Sequence, residues 1–124
     1  DPSYYVREDL LHKTDLLHAK YIGVWQELYK SGWEPVTLAR VDRKEIMLER
    51  YGSKETRRFF VIYNDSDSRF STTVSIERHN ELGDISRVTD VMDGGFSSKV
   101  REQNGRYEIL LSLEGEQLRV LELP

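Results

Sequence analysis

Three histidines, 22 carboxylates and two tryptophans carry most of the chemistry available to this 124-residue chain, which has no cysteine. The missing thiols remove disulfides, thiolate metal sites and cysteine nucleophiles. His12, His18 and His79 show no His-x-x-x-His spacing. On a helix His12 and His18 stand roughly 120° apart, so they do not converge on one ligand. Each reads better as a surface or interface side chain than as a metal ligand. No Gly-x-Ser-x-Gly elbow is present, and Gly94-Gly95 stands alone rather than in a phosphate-cradling loop. Asn64, Asp65 and Asp67 suggest calcium at first sight. Counted from Asp65, however, the sixth residue is Phe70 and the twelfth is Ile76, where an EF-hand loop needs glycine and an acid. A hairpin turn is the plainer reading of that stretch. Glu114 with Glu116, and Asp90 with Asp93, are spaced as paired acids for glycoside cleavage would be. Neither pair has apolar neighbours that would raise one pKa above the other. In so acidic a sequence they read as chance pairs. No catalytic residue, metal ligand or cofactor site is therefore assigned.

Aromatic side chains offer a different chemistry, because their faces stack on the apolar side of sugar rings. Trp25 lies on a helical stripe and reads as packed. Trp33 follows a helix stop and reads as a staple between helix and sheet, with sugar contact as its alternative role. Lys54, Arg57 and Arg58 form a small basic cluster that reads as a solvated strand end.

These residues must be positioned by some framework. The length suits one domain of ~100–150 residues. Apolar residues make up 38% and aromatics 10%, enough for a core. The balance of 18 basic against 22 acidic residues gives a net charge of −4, which disfavours nucleic acid as a partner. No apolar run reaches the ~18 residues that a membrane span needs. The chain begins at Asp1 without Met. That start fits either a removed leader or a piece of a longer protein.

Residues 7–30 lack proline and predict one helix, with Asp9 near its start and Gly32 at its stop. Leu10, Leu17, Tyr21, Val24 and Leu28 form one stripe at ~100° per residue. Leu11, His18, Ile22, Trp25 and Tyr29 form a second stripe beside it. Together they span roughly 160°, wider than the ~100° that a surface helix buries. Either a curved sheet covers the whole arc, or the second stripe docks on a neighbouring domain. The opposite face mixes Glu8, Asp15, Lys20, Glu27 and Lys30, unlike the Lys- and Arg-rich polar face of a membrane-surface helix.

After Gly32 the period shifts toward two. Strands are predicted over residues 36–41, 46–51, 57–63, 70–76, 88–92, 107–113 and 118–123. Phe59, Phe60, Val61, Ile62 and Tyr63 run without interruption, as in a strand buried on both faces, one toward the core and one toward the helix. Asn64 to Ser68, Asp93-Gly94-Gly95 and Glu114-Gly115-Glu116 are turns. Residues 78–87 read as a loop. The expected fold is mainly β: an antiparallel β-sandwich of about seven strands (34–124) preceded by one long N-terminal helix (1–33).

Three segments together carry a resemblance. They are the helix running into Gly-Trp-Glu-Pro-Val-Thr over residues 1–40, IMLERYG at 46–52 followed by RRFFVIYNDSD at 57–67, and the ending YEILLSLEGEQLRVLELP at 107–124. They resemble the C-terminal β-sandwich region of bacterial glycoside hydrolases built on a (β/α)8 barrel. The resemblance covers nearly the whole chain. It implies a non-catalytic accessory domain whose partner is the catalytic barrel of the same parent protein, in a secreted or periplasmic setting. It carries over no catalytic residue, because the family's acids sit on barrel strands. A barrel needs ~200 residues or more, which is beyond this length. The expected interdomain face is Leu11, His18, Ile22, Trp25 and Tyr29, with Trp33 as a candidate sugar contact. The alternatives are a carbohydrate-binding module, a protein–protein interaction sandwich and, least favoured, a small free-standing enzyme.

Overall fold

The computed structural model describes residues 15–92 and 96–124, and gives the backbone alone for 15–21 and 96–99. The predicted helix is present as α1, Asp15–Ser31. Its expected first two turns, with Leu11 and His12, lie outside the described residues, as does the turn at Asp93, Gly94 and Gly95. The helix stops where Gly32 takes a left-handed φ of 89° and its amide donates to the Leu28 carbonyl at 2.9 Å.

Ten strands follow among the described residues, not seven. They are β1 (Trp33–Glu34), β2 (Ala39–Val41), β3 (Ile46–Tyr51), β4 (Phe59–Asn64), β5 (Phe70–Glu77), β6 (Arg87–Asp90), β7 (Phe96–Lys99), β8 (Arg101–Gln103), β9 (Arg106–Leu113) and β10 (Leu118–Glu122). The three unexpected strands are β1, β7 and β8. Residues 36–38, expected as strand, lie outside β2. All pairings are antiparallel, in a six-stranded sheet ordered β1-β3-β4-β10-β6-β7 and a four-stranded sheet ordered β2-β5-β9-β8.

Side chains from both sheets meet in one buried cluster. Ile46, Phe60, Ile62, Val88 and Leu121 come from the larger sheet, and Val74, Ile76, Ile109, Leu111 and Leu113 from the smaller. The segment between β5 and β6, expected as a plain loop, contributes buried Leu82 and Ile85 to it. A second cluster lies on the opposite face of the larger sheet. There Phe59, Val61 and Val120 pack with Leu28 of α1. The unbroken apolar run of β4 follows from this, since alternate side chains serve the two clusters.

The Asn64–Ser68 turn is not a hairpin. It leads from β4 in the larger sheet to β5 in the smaller, and residues 114–117 lead back from β9 to β10. The two corners are stacked. The Asn64 Nδ2 donates to the carbonyls of Ser68 at 2.7 Å and Glu114 at 3.0 Å, and the Asn64 amide donates to the Gln117 carbonyl at 3.0 Å. A β-carbon on Gly115 would lie 2.6 Å from the Asp67 carbonyl, so only glycine fits there.

Candidate functional site

The two stripes of α1 meet different fates. Leu28 is fully buried and Val24 packs beside it against β4 and β10. That first stripe is anchored by burial that is worth ~1.5–3 kcal/mol per large side chain. Along the second stripe Trp25 is half-buried, Ile22 is 44% exposed and Tyr29 is 75% exposed. The Trp25 ring contacts Tyr29 at a centroid distance of 6.1 Å and meets Tyr51 of β3 edge-on at 6.5 Å. Leu11 lies outside the described residues, and so does the His18 side chain.

Trp33 extends this surface onto the sheet. In β1 it pairs directly with Tyr51, which places both rings on one face at neighbouring positions. It remains 59% exposed, and its indole Nε1 donates to Glu49 Oε2 at 2.6 Å. Its expected role as a staple under the helix is therefore replaced by that of an outward ring fixed by a carboxylate. Burial, and then the negative charge of Glu49, raise the Tyr51 hydroxyl above its ordinary pKa.

A charged clamp sets the helix on the sheet. Arg57 Nε and Nη2 bond the two oxygens of Glu122 at 2.7 and 2.8 Å, and Nη1 reaches Glu27 of α1 at 2.8 Å. Its guanidinium also lies 5.1 Å from the centroid of Phe59. The bond to Glu122, followed by the surrounding carboxylates, raises the Arg57 pKa further. Arg57 is exposed just before β4, as a solvated strand end would be, and the clamp adds ion pairs to that reading. Nothing in local spacing links Glu27, Arg57 and Glu122, because the fold alone brings them together. The same holds for Trp33 and Glu49.

The other candidates do not assemble. His79 is exposed, and its Nδ1 accepts the Glu81 amide at 3.1 Å. Asp90 is buried, with one oxygen on Arg119 Nε at 2.7 Å and the other on the Met92 amide at 3.0 Å. Its expected neighbour Asp93 lies outside the described residues. Glu114 faces solvent near Arg69. Among the described residues no three His, Asp or Glu side chains gather as a metal site. Two open grooves, of about 450 and 420 Å3, flank Leu110 and Tyr107 respectively. The first is lined by Thr73, Val100, Arg101 and Glu108, and the Glu108 carboxylate there is paired with Arg101 at 2.9 Å. Compared with known proteins, the sequence matches no family model, no curated protein and no solved structure.

Proposed function

We propose that this protein is a non-catalytic accessory domain, an antiparallel β-sandwich with a leading helix, that docks on the catalytic (β/α)8 barrel of a bacterial glycoside hydrolase. The observation that carries the docking surface is the exposed run Ile22, Tyr29 and Trp33, contiguous with Trp25 and Tyr51 and fixed in place by Leu28 and Arg57. Contiguous exposed apolar and aromatic surface marks an interaction site, whereas scattered exposed residues do not. The helix that carries Ile22 and Tyr29 is anchored through Leu28, so little backbone ordering entropy opposes association. The barrel as partner rests on the resemblance of residues 1–40, 46–67 and 107–124 to the rear modules of such enzymes.

Calorimetric titration of the 124-residue protein with the barrel domain encoded in the same reading frame tests this. Association is expected, weakened about tenfold or more, ~1.4 kcal/mol, when Ile22→Ser and Tyr29→Ser are combined. Unchanged affinity in the double variant overturns the reading. Exposed Trp33, its indole held by Glu49, supports a second reading as a carbohydrate-binding face. Polysaccharide binding that is lost in Trp33→Ala selects that reading over the first.

A further inference from the structure

Asn104 and Gly105 form the two-residue tip of the β8–β9 hairpin. Both have positive φ, 53° and 74°, the pattern of a type I′ turn. Both are exposed, and so is every residue of β8. β8 is an edge strand joined to β9 by three residue pairs only, so the tip opens at small cost compared with the core. Gly105 has no side chain to shield its amide nitrogen, and nothing lies within 4 Å of where a β-carbon would sit.

We propose that Asn104 is a site of spontaneous deamidation that loosens β8. When the tip opens, the Gly105 amide nitrogen loses its proton to solvent base and attacks Cγ of Asn104. The new N–Cγ bond closes a five-membered succinimide. The Cγ–Nδ2 bond breaks, and the departing nitrogen takes up a proton and leaves as ammonia. Water then opens the ring. Hydrolysis of the new N–Cγ bond gives aspartate, and hydrolysis of the original peptide bond gives isoaspartate. Isoaspartate routes the backbone through an extra methylene, which a two-residue turn cannot absorb without shifting β8 against β9. The pairings at stake are Arg101 with Glu108 at 2.9 Å and Arg78 with Glu102.

The other two asparagines are internal controls. Asn64 is buried, its amide nitrogen already donates to backbone carbonyls, and Asp65 follows it. Asn80 is exposed, but the following Glu81 carries a side chain beside the attacking nitrogen.

The test uses the whole protein, aged at mildly alkaline pH and then digested with trypsin. The three asparagines fall in separate peptides, 59–69, 79–87 and 102–106. Mass spectrometry is expected to show 102–106 converting first, into two chromatographically distinct products each a single mass unit heavier. Gly105→Ala is expected to slow that conversion. In the aged protein the amides of Arg101 and Gln103, which face β9, are expected to exchange faster with solvent. Conversion led by 79–87 or 59–69, no conversion at all, or an unchanged rate in Gly105→Ala overturns the assignment. Unaltered exchange in β8 after full conversion overturns the structural consequence.

Discussion

Asn64 shows how one side chain fixes a connection that no strand pairing supplies. Its Nδ2 holds carbonyls from both corners, and its Oδ1 accepts the Ser66 hydroxyl at 2.8 Å. Asn64→Leu removes these bonds, each worth ~0.5–1.5 kcal/mol, although the Glu114 carbonyl keeps the Gln117 amide and the Ser68 carbonyl keeps the Ser66 hydroxyl. We expect urea unfolding of Asn64→Leu to report a loss of about 2–4 kcal/mol. Asp42 acts similarly at the β2–β3 turn. Its Oδ1 accepts the Thr72 hydroxyl at 2.6 Å and the Thr73 amide at 3.0 Å, and these bonds hold its carboxyl below the ordinary 3.8. A depressed folded pKa contributes stability that is present above the unfolded value and is lost as pH falls through the folded one. Asp42→Asn should therefore be less stable than the parent protein at neutral pH, with the gap closing below pH ~4. A gap that persists unchanged at low pH contradicts this. The turn-forming character of Asn64 to Ser68 was readable from residue types. What the turn connects was not, because a hairpin and a sheet-to-sheet corner use the same Asx and Ser chemistry.

Among elements, α1 gives the sharpest contrast. Its two stripes were both visible in the spacing of apolar residues, but spacing carries no information on which stripe the sheet covers. Packing decides it. Leu28 meets Phe59, Val61 and Val120, while Ile22 and Tyr29 face outward. Leu28→Ala should cost about 2–4 kcal/mol in denaturant unfolding, as large-to-small changes in a core do. Ile22→Ser should stay within ~0.5 kcal/mol in the isolated protein, as surface changes do. Equal losses in the two variants contradict the division of roles. The strands divide in the same way. β3, β5 and β9 announced themselves through alternation or apolar richness, because one face of each is buried. β1 is two residues long, β8 is Arg-Glu-Gln with every side chain exposed, and β7 is Phe-Ser-Ser-Lys, so none leaves a hydrophobic period. The Asn104-Gly105 pair was the one local signal of the β8–β9 hairpin.

At the scale of the molecule, the polypeptide changes sheets six times: between β1 and β2, β2 and β3, β4 and β5, β5 and β6, β7 and β8, and β9 and β10. Pairing between strands distant in sequence, such as β4 with β10, is set by burial of the shared cluster and not by any local motif. The mainly β character with one helix was therefore legible, while the strand count and the corner-crossing path were not. The candidate site divides likewise. Ile22, Trp25, Tyr29 and Trp33 were recognisable by type, and their partners Glu49, Tyr51 and Arg57 became so only in the fold. A neighbouring domain seated on this helix-and-edge surface would shut it off from solvent. Hydroxyl-radical footprinting of the 124-residue protein with and without the proposed barrel partner reads that cover directly. Strong protection of Ile22, Tyr29 and Trp33 is expected with the barrel present, with Leu110 labelled alike in both samples. Equal labelling of Tyr29 and Trp33 in the two samples would contradict the docking.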